Sequence, residues 1–272
     1  MVFFHRFAEL KRIMGSDLPR GLRLQIARDA MRLSIRSRKR LANPISLVGF
    51  QVSYFNPHEL SYLFSEIFVN MSYFFRTESE TPIILDCGSN IGMSILFFKK
   101  IYPKARIIAF EPDPATFEKL HANVEQNLLT NTELHQCALG STDGMVDLFQ
   151  GARDGSLVMS LLSERGAGAK IEVPSRRLSS FITEEVDLLK IDIEGAEEIV
   201  LNEVAESGKL RLVRQLHLEY HHHINPATDR FSFILKLLED NGFGYRLAAP
   251  TQHFGLATAH IFQDIALYGY RK

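Results

Sequence analysis

Residues 82–92 read PIILDCGSNIG: a short apolar run that closes on an acid, then a turn made of Gly88, Ser89, Asn90 and Gly92. An apolar run of this length, bounded by turn residues, reads as a buried strand. The segment ILFFKKI at 95–101 then reads as the helix that follows, starting near Asn90 or Ile91. Working outward, the same alternation repeats. Strand-like runs stand at 105–111, 132–139, 186–193, 212–220, 243–249 and 262–270, and helix-period segments at 114–129, 195–208 and 225–242. Such alternation specifies βαβ units, whose crossovers are right-handed. The expected fold is α/β: a doubly wound, Rossmann-like, mostly parallel seven-stranded sheet. The last two runs follow one another directly and are expected to form an antiparallel pair, with the final strand reversed.

Residues 81–272 are thus assigned to the sheet domain and residues 1–80 to a mainly helical N-terminal region. In that region the segment at 18–40 has helical spacing, with Leu22, Ile26, Met31, Leu33 and Ile35 mostly on one side and Arg23, Arg28, Arg32 and Arg36 elsewhere. A strand is expected within 45–55 and a helix within 58–75. This part is expected to pack on the sheet domain, cover its mouth or contact a partner. Residues 151–170, rich in Gly and Ser, read as an inserted loop.

The net charge is −1, but the first 40 residues hold eleven Lys/Arg against three Asp/Glu. The expected role of that basic stretch is the solvated face of a packed helix; peripheral contact with a membrane surface, an anionic carrier or nucleic acid is the alternative, and homo-oligomer formation is left open. No apolar run approaches the roughly 20 residues of a membrane-spanning helix, and the first residues lack a signal-peptide pattern. A cytoplasmic protein is the expectation. Cys87 and Cys137 end apolar runs and read as small core residues rather than a disulfide or metal framework.

In open α/β sheets ligands lie beyond the carboxyl ends of the strands, where strand order reverses. The turn at 86–92 lies there. Gly88 allows a tight turn and close backbone approach, Gly92 allows the next helix to pack closely, and Glu111 ends the second strand, where an acid can accept hydrogen bonds from ribose hydroxyls. A dinucleotide turn has a glycine where Asn90 stands and needs no acid before its first glycine. Here Asp86 precedes Gly88, and a carboxylate suits the ammonium of a methionyl group and repels a pyrophosphate. The pattern favours S-adenosylmethionine over NAD.

These motifs, with FEPDP at 110–114, CALGSTDG at 137–144 and LLKIDIEGAE at 188–197, resemble the FkbM-type family of class I S-adenosylmethionine-dependent methyltransferases. The resemblance spans about residues 82–220. It implies that Asp86, Gly88, Ser89 and Asn90 surround the methionyl part, that Glu111 holds the ribose, and that Asp113 and the backbone at Ala138 and Leu139 border the adenine. It also implies a hydroxyl acceptor on a sugar or other small-molecule metabolite.

Methyl transfer is an in-line displacement in which alignment matters most, helped by a base near the acceptor hydroxyl. The ends of the fourth and fifth strands supply candidates: Asp192, which can also serve the cofactor, and Glu219 with His221. Alternation along the strand puts His217, Glu219 and His221 on one face and Leu216, Leu218 and Tyr220 on the other. Lys190 is expected to make a structural pair, and Glu194 and Glu197 to complement a helix N-terminus, an explanation sufficient for Glu197. Asp192, Glu219 and His221 could also hold a divalent metal; catalysis without one is preferred. His222, His223, His253 and His260 are weaker candidates. Nucleic acid is not the expected acceptor, because the sheet domain is acidic and lacks an N-P-P-Y-type motif for a flipped base. The competing functions are an NAD-dependent oxidoreductase and a non-catalytic cofactor-binding scaffold recruited by the basic N-terminal region.

Overall fold

A computed structural model describes residues 11–36, 41–150, 169–222, 230–248 and 263–272. In chain order these residues form α1 (Arg20–Arg36), the hairpin β1 (Ile45–Leu47) and β2 (Phe50–Val52), and α2 (Pro57–Phe64), which runs on into a π-helical turn at Ser65–Val69. The α/β core begins with β3 (Ile83–Cys87), α3 (Met93–Ile101), β4 (Arg106–Phe110), α4 (Pro114–Gln126) and β5 (Thr132–His135). Three strands follow, β6 (Ala138–Leu139), β7 (Gly144–Phe149) and β8 (Lys170–Arg176). The chain then returns to the core with β9 (Val186–Ile191), α5 (Glu197–Glu206), β10 (Val213–His222), α6 (Phe231–Asp240), β11 (Phe243–Ala248) and β12 (Gln263–Arg271).

Among the described residues the main sheet has seven strands in the order β11-β12-β10-β9-β3-β4-β5. The strands from β5 to β10 are parallel to their neighbours, and β12 runs antiparallel to both β10 and β11. The doubly wound, mostly parallel α/β sheet with a reversed last strand is therefore present. Every residue of β9 is buried, as a central strand covered on both faces requires. From β3 the chain winds outward through β4 and β5, then crosses back to β9 and winds the other way. The switch point lies between the carboxyl ends of β3 and β9.

The run at 132–139 does not form one strand. It breaks after His135, and Ala138–Leu139 joins β8 in a separate three-stranded sheet ordered β6-β8-β7. A register that pairs Ala138 with Ser175 cannot be read from local pattern. Lys170, assigned to the inserted loop, opens β8; residues 151–168 lie outside the described residues. The strand expected within 45–55 is instead a hairpin turning at Val48 and Gly49, both at positive φ.

The N-terminal residues build one core with α3. Ile26, Leu47, Leu60, Phe64 and Phe68 are buried in the same cluster as Ile84, Ile95, Phe97 and Phe98, and the rings of Phe68 and Phe97 meet edge to face at 5.3 Å. On α1, Leu22, Ile26 and Leu33 are buried as their spacing predicts, whereas Met31 is 49% exposed. Asp29 is the residue that pattern misses: wholly buried, it accepts hydrogen bonds from the Val48 N–H at 2.8 Å and from Arg32 at 2.8 Å. A buried acid survives where donors replace its lost water. Among the described residues, no helix is long and apolar enough to cross a membrane.

Candidate active site

A cavity of about 300 Å³ opens at the switch point. One wall is the turn after β3. There Gly88 and Ser89 donate their N–H groups to the Phe110 carbonyl at 3.1 and 2.9 Å, which ties the turn to the end of β4. Gly88 has φ +81°, and a Cβ on it would stand 1.8 Å from the Asp192 carbonyl oxygen. Its absent side chain thus serves the approach of β9 as well as the turn. At Gly92, φ +87°, a Cβ would meet Leu120 of α4 at 2.7 Å, so this glycine seats one helix against another. Asn90 is left-handed too, at φ 48°, a conformation asparagine tolerates better than most residues. That is why it can stand where related turns have glycine.

Glu111 lines the cavity next to Asn90. One carboxylate oxygen accepts the Asn90 N–H and the other the Asp113 N–H, both at 3.0 Å. Burial pushes its carboxyl up to about 7, against the pull of the two backbone donors. Phe110, Ala138, Leu139 and Leu148 supply an apolar slot beside it.

The far end of the cavity is charged. Lys190, on β9, is 1% exposed. Its ammonium donates to the Gly88 carbonyl at 2.6 Å and the Cys87 carbonyl at 3.2 Å, and lies 3.3 Å from Asp86 and 3.5 Å from Asp192. Burial alone would lower Lys190; Asp86 and Asp192 outweigh it and hold the amine above its ordinary range. Burial likewise works against ionised Asp192, but Lys190, His221 and the Tyr73 hydroxyl, which donates at 2.8 Å, keep its carboxyl low.

His221 is 3% exposed. Its Nδ1 lies 2.8 Å from Glu197, and its Nε2 faces Glu194 at 3.4 Å, Asp192 at 3.8 Å and Asp264 at 3.9 Å. Burial opposes its positive charge, yet Glu197 chiefly, then Glu194 and Asp192, lift the imidazole to about 10. Of the two base candidates it is the one that gives up its proton only at the higher pH. Glu219 is shifted toward proton acceptance instead, because burial first, then Asp192, raises its carboxyl to about 8. Ligand atoms of Asp192, Glu219 and His221 fall within 4.8 Å of one another.

Gly88, Asn90, Glu111, Ala138, Asp192, Glu219 and His221 thus line one cavity. Asp86, Ser89 and Asp113 do not. Asp86 is fully buried beneath the turn, held by Lys190 and by the Ser94 hydroxyl at 2.5 Å. The Ser89 hydroxyl is turned back onto the Asp86 carbonyl. Asp113 caps α4, accepting from the Thr116 N–H and hydroxyl at 2.9 Å, and it also takes a hydrogen bond from Gln150. Each is an acid or hydroxyl engaged within the fold and not presented to the cavity.

Glu197 needs the opposite correction. Its carboxylate accepts the Gly195 N–H at 2.9 Å, as a helix-start acid does, but the same oxygen meets His221. Tyr62, Glu66, Tyr73 and Asp264 also line the cavity, and no motif marked them. The side chain of His222, and all of His223, His253 and His260, lie outside the described residues.

A model of the methyltransferase FkbM domain matches residues 86–246. The chain belongs to the FkbM methyltransferase family. Its relatives include Methyltransferase 1 of Beauveria bassiana, 31% identical over 77% of this chain and 92% of that protein. Methyltransferase sdnD of Sordaria araneosa is 33% identical over 68% of this chain and 82% of its own length. The 31-O-demethyl-FK506 methyltransferase FkbM of Streptomyces tacrolimicus is 28% identical over 72% and 86%. The protein is a methyltransferase, and the cavity at the switch point of its family domain is the candidate for its active site.

In this FkbM-family site the Glu197–His221 contact governs a titration. His221 is raised from 6.5 to about 10, so the pair stabilises the fold fully below about pH 6.5 and the contribution fades as pH rises through about 10. Glu197→Gln is expected to bring the His221 midpoint down toward 6.5 in imidazole NMR titrations. It should also cost about 3 kcal/mol in urea unfolding at pH 6, and less as the pH nears 10.

Proposed function

We propose that the protein transfers a methyl group from S-adenosylmethionine to a hydroxyl of a sugar or other small-molecule metabolite. The observation that carries this is the pairing, in one cavity, of a backbone-fixed acid beside an apolar slot with an acid-rich end containing Glu219. The name of the Streptomyces relative, which specifies an oxygen acceptor, supports the reading of the acceptor atom.

The residues fit the cofactor. Both Glu111 oxygens are aimed by backbone N–H groups and retain lone pairs for ribose hydroxyls. Gly88 and Asn90 border the methionyl part, Ala138 and its apolar neighbours the base, and Asp192 offers negative charge to a cationic group. An activated methyl group on a positively charged sulfur is what S-adenosylmethionine supplies when bound. Beyond that, the chain has to orient the acceptor and manage one proton. Glu219 takes that proton from the acceptor hydroxyl; Asp192 and protonated His221 hold the acceptor oxygen and fix the charge around it.

Titration calorimetry tests the cofactor. S-adenosylmethionine is expected to bind and NAD to give no heat, with Glu111→Ala weakening binding by about tenfold or more; binding of NAD alone would reject the proposal. Methyl transfer tests the base. A carboxylate must be deprotonated to accept a proton, so the rate should rise with pH through about 8. Glu219→Gln should lower it by about a hundredfold and remove that limb.

The convergence of Asp192, Glu219 and His221 within 4.8 Å supports a second reading of how the acceptor oxygen is held, by a divalent cation. Manganese titration followed by electron paramagnetic resonance decides it. Ion immobilised by the wild type but not by Asp192→Asn favours the cation, and ion that stays free at millimolar protein discards it.

A further inference from the structure

A second cavity, of about 450 Å³, adjoins the first and shares Tyr62, Glu66, Tyr73, Glu219 and Asp264 with it. Its floor follows from strand register. On β10 the residues His221, Glu219 and His217 share a face, and across from them on β12 stand Asp264, Ala266 and Tyr268 in turn. Ala266 is also paired with Ala248 on β11. Two alanines therefore lie side by side next to Glu219, where larger side chains would fill the space. Both line the second cavity and neither lines the first.

The side chains around this space form a hydrogen-bonding wall. Glu66 accepts from Asn70 at 3.2 Å and from the Ser72 hydroxyl, and Asn70 in turn accepts from Arg12. At the inner end His217 is 7% exposed, packed edge to face on Tyr268 at 4.9 Å, and its Nδ1 has no hydrogen-bond partner among the described residues. A buried polar atom left unpaired inside a protein is costly. The ring as a whole lines the second cavity, which puts it, though not Nδ1, within reach of a ligand. Burial pushes His217 down to about 4, so its ring is neutral, with one donor and one acceptor to offer.

Taking the methyltransferase reading above as its basis, we propose that this second cavity is the acceptor site. It selects an uncharged, hydroxyl-bearing ring, recognised by His217 at the inner end and by the Glu66 wall, with the reacting hydroxyl at Glu219. Three observations favour that class. Among the described residues, the acids Glu66 and Asp264 face the space beside Glu219 against the single guanidinium of Arg12, which penalises a carboxylate or phosphate on the ligand. Tyr62, Tyr73 and Tyr268 line the space with aromatic side chains. The volume falls in the usual range of small-molecule sites, roughly 300–1,000 Å³. Glu219 lines both cavities, so a hydroxyl entering from the second cavity meets this carboxyl group at the junction with the first.

The test uses the full chain saturated with S-adenosylhomocysteine and two probes that differ in one group, methyl β-D-glucopyranoside and methyl β-D-glucopyranosiduronate, read by saturation-transfer NMR. The neutral ring should bind and the carboxylate ring should bind about tenfold more weakly or not at all. Ala266→Leu should abolish the neutral ring's signal while S-adenosylhomocysteine binds as before. Ala248→Leu fills the same space and repeats the test if the first variant misfolds. His217→Phe should weaken the neutral ring by about fivefold or more. Equal or tighter binding of the carboxylate ring, binding of neither ring, or a neutral-ring signal indifferent to both alanine substitutions would overturn the proposal. Retained S-adenosylhomocysteine binding in the same samples shows that such a failure concerns the acceptor site and not the cofactor reading.

Discussion

The Lys190 ammonium is the point on which the site is hung. It is almost wholly buried on a central strand, and it engages two carbonyls of the β3 turn and two carboxylates. A buried charge is tolerable only with partners close at hand, and here those partners are the turn itself and the acids below and beside it. The interaction joins β3 to β9 at their carboxyl ends, where Gly88 already allows the Asp192 carbonyl to come close. The cavity turn and the first acid of the reactive end are thereby set by one contact, before any ligand contributes.

From that contact the charge pattern follows. Asp86 and Asp192 neutralise Lys190, while Glu197, Glu194 and Asp192 keep a proton on His221. Glu219, on the same strand face as His221, is left in an already acidic and buried neighbourhood, and its carboxyl rises to about 8. Two residues that look alike as base candidates along the chain are thus driven apart by their surroundings. One becomes a fixed cation, and the other is matched, in the proposed mechanism, to accepting a proton at mildly alkaline pH.

The N-terminal residues take part in this arrangement. The apolar side of α1, the β1–β2 hairpin and α2 share a core with α3, and the segment that follows α2 brings Glu66 and Tyr73 to the cavity mouth. Tyr73 reaches the Asp192 carboxylate, 119 residues away along the chain. The FkbM domain match begins only at residue 86, so these contributions come from the part of the chain that the family model leaves uncovered.

The strand and helix periods, the turn at 86–92 and the acid at 111 were legible because each is a local property: a period of two or 3.6, or a glycine where φ must be positive. The doubly wound form of the main sheet and its reversed last strand followed from connection rules, whereas the insertion of β12 between β10 and β11 did not. Lost from view were features made by residues far apart in the chain. The three-stranded sheet depends on pairing Ala138 with Ser175, and the roles of Asp86 and Asp113 depend on Lys190, Ser94 and Thr116 engaging them within the fold. So the sequence by itself determined the fold class and which residue types gather at the switch point. Only the tertiary structure decided which acids face the cavity, which histidine is charged and which is neutral, and where two alanines leave room. Those outcomes depend on burial and on neighbours within a few ångströms, and neither is a property of sequence distance.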